Sequence, residues 1–464
     1  MQKSHFFLSV LLSQILVACS SIDVPLHSSV QLPPRFEQEI NTANNHLQQW
    51  WTFWQDPQLT QLIEQALSHN LDIAKAQARL AQAQAISHLA QADKGPSVGL
   101  QGTLGRMDTQ LKDLPIIGDE HNRIQGAGAM LVASWEPDFF GQKKSDAQAA
   151  MYAALGQQEQ LYATKLTIVS LVAQSYFQFN ATQQLITILN QNIATLQQLQ
   201  RYVEGRFQAG YTTQYDVHEI NNKILNAKAL QAPLQAQADG LQRRIAVLLG
   251  QTPEGFSLQF NPQVLQYVPP TPSGHIPGAV MTRRPDIQAY AMAVQARAAQ
   301  LASAKADLFP RFDIQFLGQG GRISLSSDLS SFSGANSLIS AGVQLPIFTN
   351  GRIQANINAA DAKLKESLID YDQALLKALA EVESYYQQQY ALEQKVQLLS
   401  RSVSQHQHQA IQAEKLFQHG NKTLDHTLTA RLNSLASQQE LIQAQLQRQE
   451  NLILLYKALG GGWR

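Results

Sequence analysis

With 464 residues, the chain is long enough for one large core or for two or three domains. Its 35 basic and 35 acidic residues cancel, which excludes the strong field of a nucleic-acid binder. Charged residues make up only 15%, low for a soluble surface, and Gln, Asn, Ser and Thr supply much of the remaining polarity.

In chain order, Lys3 is followed by a short apolar run, Phe6 to Ala18, and then by Cys19, the sole cysteine. No disulfide can form within the chain. Thirteen residues suit the apolar part of a signal peptide and are too few to cross a bilayer as a helix. Leu16-Val17-Ala18-Cys19 resembles the bacterial lipobox. That resemblance makes 1–18 a lipoprotein signal peptide and Cys19 the lipidated first residue, with Ser20 implying sorting to the outer membrane. The alternative is a short apolar helix with a buried cysteine. The segment 19–56 then carries Trp50, Trp51 and Trp54. These suit a membrane-interface belt or, since they precede a helix rather than flank a strand, packing of the N-terminal segment.

Beyond this the chain is written twice. Asp72/Asp286, Ile73/Ile287, Asp93/Asp307 and Pro96/Pro310 differ by 214 positions. Gly141/Gly351, Tyr176/Tyr386, Phe207/Phe417, Gly210/Gly420 and Gly250/Gly460 differ by 210. The repeats are taken as 57–251 and 278–464, joined by a Pro-rich connector, 252–277.

Each repeat opens with an Ala-rich helical pattern, about 57–93 and about 278–308, ending before Pro96 or Pro310. Two strands follow, read at 97–106 and 126–135 in the first repeat and at 311–320 and 337–346 in the second. In FDIQFLGQ, Phe312, Ile314 and Phe316 alternate with Asp313 and Gln315, giving one apolar and one polar face. After Gly141 and Gly351 the chain turns helical. No proline occurs from 138 to 232 or after Pro346, so 142–209 predicts a helix of roughly 100 Å at 1.5 Å per residue. Leu185, Leu189, Asn192, Leu196, Leu199 and Val203 step by fours and threes, the spacing of a coiled-coil seam. Each long helix reaches a glycine turn, Gly210 or Gly420, and returns antiparallel, with Pro233 disturbing the first return.

No other segment approaches 18 continuous apolar residues, so any membrane crossing must be made by strands. Four strands of about ten residues have the crossing length but cannot close, and an open edge is not tolerated in hydrocarbon. Bacterial barrels need at least eight strands, so several copies must share one barrel. A dimer gives eight strands with a filled interior, a trimer twelve with a passage. The alternative is a small sandwich on a coiled-coil rod.

The ordered set of WWTFWQDPQLTQLIEQALSHNLDIAKAQARLAQAQA (50–85), WEPDFFGQ (135–142), GRFQAGYTTQYDV (205–217), RRPDIQAY (283–290), ADLFPRF and PIFTNGR (346–352) resembles the outer-membrane efflux factor family. These are the TolC/OprM-like channels, and the lipobox is similar to that of their NodT-type lipoprotein branch. The resemblance implies a mainly α fold with a small β portion. Duplicated helical hairpins would form an α-barrel in the periplasm, and four transmembrane strands per protomer would close a 12-stranded barrel in a homotrimer. It implies a passive exit duct with no cofactor and no reaction. Its partners would be outer-membrane lipid, a periplasmic adaptor (membrane fusion) protein and an inner-membrane pump, commonly of the resistance-nodulation-division type. The closing tips would be 205–218 and 415–428, around Gly210 and Gly420. Asp216 matches a frequent family aspartate, whereas the second turn has Lys422 near such a position, with Asp425 and His426 after it. These four are the gate candidates, weighed against ordinary solvated turn charges.

His406 and His408 lie two apart on a helix and do not share a face, which argues against a metal pair. The runs Gly318-Gln-Gly-Gly321 and Gly460-Gly-Gly462 lack the strand–loop–helix setting of a phosphate loop. Two other functions remain open at this level: a type I protein-secretion duct on the same fold, and a lipid-anchored scaffold without a pore.

Overall fold

The computed structural model describes residues 30–36, 47–110, 121–273, 277–325 and 331–462. Cys19 lies outside them. The chain is mainly helical with one four-stranded sheet, and no described helix is long and apolar enough to cross a membrane. It divides into two compact units. One contains Ala81–Gly156 and Tyr290–Tyr371; the other contains Ser28–Leu80, Gln157–Ala289 and Asp372–Arg464.

The two halves share one element order, except that the returning helix of the first is broken in two and that of the second is continuous. A short 3-10 turn at Trp50–Trp54 precedes α1 (Pro57–His69) and α2 (Leu71–Ala92). Strands β1 (Ser97–Gln110) and β2 (His121–Trp135) lead to α3 (Gln142–Gln208), then α4 (Gln214–Ala229) and α5 (Gln231–Leu248). The second half runs α6 (Pro277–Arg283), α7 (Pro285–Ala306), β3 (Arg311–Leu325), β4 (Phe332–Gln344), α8 (Arg352–Gln418) and α9 (Leu424–Ala458). The long helices α3 and α8 each span 67 residues, and α2 and α7 each span 22.

The first unit is organised on the sheet, whose strands lie in the order β1-β2-β3-β4, all antiparallel. Beyond it, α7 and α8 bury Val294, Ala298, Leu301, Ile353, Ile357 and Leu364 against one another. All four strands exceed the boundaries read from alternation, except at the end of β4. The ladder continues through Arg106, Asp108, Gly320 and Ser324, where backbone pairing persists without an apolar signal.

The second unit buries the tryptophans, as the packing alternative requires. Trp50 stacks on Tyr456 at 5.4 Å with the rings 9° apart, and Trp54 packs against Phe177. Asp56 caps α1 by accepting from the Leu59 amide at 2.9 Å, with Pro57 preset for the first turn. Its other oxygen accepts from the Tyr176 hydroxyl at 2.8 Å; burial first, then the charge and hydrogen bond of Asp56, push that phenol up.

The single helix expected over 57–93 is two. Asn70 Oδ1 caps α2 through the Asp72 and Ile73 amides, while Asn70 Nδ2 donates to Leu248 O at 2.8 Å. The helix expected at 278–308 is likewise divided at Arg284, the residue before Pro285, which that ring disfavours in helical geometry. Pro233 falls in the first turn of α5, just after the break at Leu230, where it costs no helical hydrogen bond.

Candidate functional site

Two places bear on function, and each belongs to one unit. The first is the sheet. Its registers align whole rows across the four strands. Val98, Ala133, Phe316 and Ile339 form an all-apolar row, and the next row, on the opposite face, is Ser97, Ser134, Gln315 and Ser340. Further along that polar face run Gln101, Met130, Gln319 and Asn336, then Thr103, Gly128, Gly321 and Gly334. A hollow of about 840 Å³ lies against these last two rows. On the apolar side Leu104 is 88% exposed and Ile339 76%. Large aliphatic groups left in contact with the surroundings along a strand fit a lipid-facing band. Among the described residues, strands β1 and β4 are both unpaired on their outer edges.

Glycines permit the curvature. A Cβ on Gly321 would sit 2.7 Å from Ala127 O and 3.0 Å from Gly128 Cα, so β2 and β3 approach too closely there for any other residue.

The second place is the pair of hairpin turns. The α3 helix ends in a Schellman turn: Gly210, at φ +78°, donates to Phe207 O at 3.0 Å, and Tyr211 donates to Arg206 O at 2.8 Å. The α8 end repeats it with Gly420, at φ +73°, and Asn421 on Leu416 O. Both predicted turn glycines therefore sit where a left-handed backbone is required. Near these turns Leu196, Leu199, Ile220, Ile224 and Leu428 share one buried cluster, so the two hairpins are packed together at this end.

Asp216 is the third residue of α4, and its Oδ2 accepts from Thr212 Oγ1 at 2.5 Å, Thr213 Oγ1 at 2.7 Å and the Thr213 amide at 2.9 Å. The Thr212 hydroxyl, then the two Thr213 donors, hold its carboxyl down at about 2. Sequence reasoning read Asp216 as a pore charge and passed over this reciprocal cap, although the Thr213-x-x-Asp216 spacing carried it. In the second turn the position equivalent to Asp216 is His426, and the N-cap Thr423 makes no side-chain cap bond. Lys422 and His426 are exposed. Asp425 is half-buried, and its Oδ1 is enclosed without a hydrogen-bond partner. The four candidates thus divide into one satisfied carboxylate, one incompletely satisfied carboxylate and two exposed basic side chains.

A third arrangement was invisible in sequence. Arg284 is buried, and it binds Asp286 at 2.7 Å, Glu381 at 3.0 Å and Ala458 O at 3.3 Å. It joins α7, α8 and the end of α9.

Known proteins share this architecture. The cation efflux system protein CusC of Escherichia coli O6:H1 is 29% identical over 432 residues, covering 92% of this chain and 91% of that one. The pyoverdine export outer membrane protein OpmQ of Pseudomonas aeruginosa is 28% identical over 467 residues, covering 97% and 95%. The solved outer-membrane channel OprN shares the fold, with a TM-score of 0.79 at 24% identity over 95% of this chain and 99% of that one. The outer membrane efflux protein family matches residues 62–251 and again 276–461. The chain therefore belongs to the outer membrane efflux protein family and is a channel protein of the outer membrane.

Proposed function

We propose that three copies close their sheets into one twelve-stranded barrel, lipid-anchored through Cys19, and that the trimer is the passive exit duct of a three-part efflux pump. The observation that carries this reading is the open sheet. Four membrane-length strands, apolar on one face, leave two edges that hydrocarbon does not tolerate. Four is an even number, so β4 of one copy meets β1 of the next antiparallel, as every other neighbour in the sheet does. A dimer's eight strands would enclose only their own side chains.

In this reading the hairpin ends close the periplasmic mouth. A periplasmic adaptor (membrane fusion) protein docks near them, and an inner-membrane pump of the resistance-nodulation-division type supplies the energy. Asp216 fixes the first turn, while Asp425, with Lys422 and His426 beside it, lines the mouth. The relatives' names, cation efflux and pyoverdine export, differ in cargo but agree on small solutes. Small toxic compounds are the cargo class that the family resemblance implies for this duct. The duplication divides at the connector, 252–277.

The test is the full-length protein purified in detergent. Native mass should be that of three chains, and planar bilayers should show discrete channels. Asp425→Ala should raise the fraction of open time. A monomeric mass without conductance would remove the duct altogether.

A further inference from the structure

The two hairpins of the sheet have one register. Ser97 faces Ser134 in the first, and Arg311 faces Gln344 in the second. Strand β1 therefore maps onto β3 by 214 positions and β2 onto β4 by 210, the same offsets that relate α2 to α7 and α3 to α8.

The joint between the halves is fully visible. Strand β2 pairs with β3, with Ser134 opposite Gln315. Just beyond the sheet, Asp307 Oδ1 accepts from Gln142 Nε2 at 2.9 Å and from Arg311 Nη2 at 2.7 Å. The repeat-two aspartate thus takes a neutral donor from the preceding repeat and a cation from its own strand.

Shifted by the two offsets, this joint becomes one between β4 and β1. Ser134 and Gln315 become Gln344 and Gln101, while Gln142 and Asp307 become Arg352 and Asp93. Within one chain β1 and β4 are opposite edges of the sheet, so only another copy can complete it. The charges are complementary. Arg311 is replaced by Ser97, whose hydroxyl is bonded to Ser134 at 2.8 Å. Lys143 Nζ is engaged by the Asp93 backbone carbonyl at 3.0 Å and by Glu136 at 3.3 Å, so no cation reaches the Asp93 carboxylate within the chain's described residues. The missing cation reappears across the joint, where Gln142 is replaced by Arg352. Both side chains are exposed, and neither the Asp93 carboxylate nor the Arg352 guanidinium has a partner among the described residues.

We infer that the surface between copies is built as a repeat of the chain's own internal joint: β4 pairs with a neighbouring copy's β1, Gln344 opposite its Gln101, and Arg352 forms an ion pair with its Asp93. This rests on the homo-oligomeric reading above. The register keeps the faces consistent, since it sets Val343 beside Gly102 and Ala341 beside Leu104 on the apolar side. A two-residue slip would also keep the faces but would separate Arg352 from Asp93.

The test uses the full chain carrying Gln101→Cys with Gln344→Cys, oxidised in the membrane. Directly opposed residues bring Cα atoms to about 4.5–5.5 Å, within reach of a disulfide. The expected result is a ladder of covalent dimers and trimers that neither single variant gives. Thr103→Cys with Gln344→Cys, two residues out of step, should give little or none. A trimeric native mass with the ladder only in the Thr103 pairing, or in neither, overturns the register. A monomeric native mass overturns the oligomer itself. Separately, Arg352→Asp should lower the temperature at which the oligomer dissociates in detergent, and adding Asp93→Arg should restore it. A double variant as labile as the single removes the ion pair.

Discussion

Trp54 Nε1 donates to Gln449 Oε1 at 2.7 Å across 395 residues of chain, with both groups buried. The Gln449 amide in turn donates to Tyr267 O at 2.8 Å and Leu265 O at 3.3 Å. One side chain thereby ties the N-terminal turn and the connector to α9. Gln449→Leu leaves the indole N–H and two carbonyls without partners, and each such group costs about 1–3 kcal/mol. The variant should unfold at lower denaturant, with Trp fluorescence shifting ahead of the loss of helical signal.

Arg284 meets two carboxylates and a helix-terminal carbonyl. Arg284→Met keeps the volume but leaves Asp286 and Glu381 unpaired beside each other. Breaking a fully buried pair costs about 3–5 kcal/mol, and the near-half exposure of both acids reduces this to about 2 kcal/mol. Thermal unfolding of the solubilised protein measures it. A drop that adding Glu381→Gln partly recovers identifies stranded charge as the cause.

Asp216 gives a pH dependence with a definite sign. Its folded carboxyl is held at about 2, below the ordinary aspartate value of about 3.9. The cap therefore contributes in full above pH 4 and is lost as pH falls toward 2. Hydrogen exchange at the start of α4, corrected for intrinsic rate, should remain protected at pH 4 and open below pH 3. In Asp216→Ala the same amides should be open at every pH, while channel conductance stays less affected than in Asp425→Ala.

At Gly321 the close approach of β2 leaves no room for a methyl group. Gly321→Ala should force the strands apart, an overpacking cost of about 1–3 kcal/mol. Gly126→Ala, whose added Cβ would meet its nearest neighbours, Arg322 O and Ile323 Cγ1, at 3.7 and 3.8 Å, should be far milder. The heat resistance of the assembled form in detergent compares the two.

Much of this molecule was legible because its local signals repeat. Positive-φ Gly141, Gly210, Gly351 and Gly420 stand at the helix ends where paired glycines in the sequence put them. The alternation of Phe312, Ile314 and Phe316 against Asp313 and Gln315 places the strand and its faces correctly. The strand ends escaped because hydrogen bonding does not require apolar side chains. The break at Asn70 escaped because helical periodicity continues on both sides of it, and the cause is a side chain reaching Leu248. Arg284 with Glu381 and Trp54 with Gln449 are contacts between distant segments, for which no local pattern exists. At the turn, Asp216 was noticed for its charge when its spacing from Thr213 was the informative property.

The two bare margins of the sheet also constrain biogenesis. Each newly exported chain is adhesive at both ends, and head-to-tail joining closes into a ring only if every subunit turns the sheet by about 120°. A subunit that turned less would add neighbours without end and make a fibre. In the proposed trimer, the bend that the glycine-thinned strands allow per subunit would separate a closed ring from an insoluble polymer.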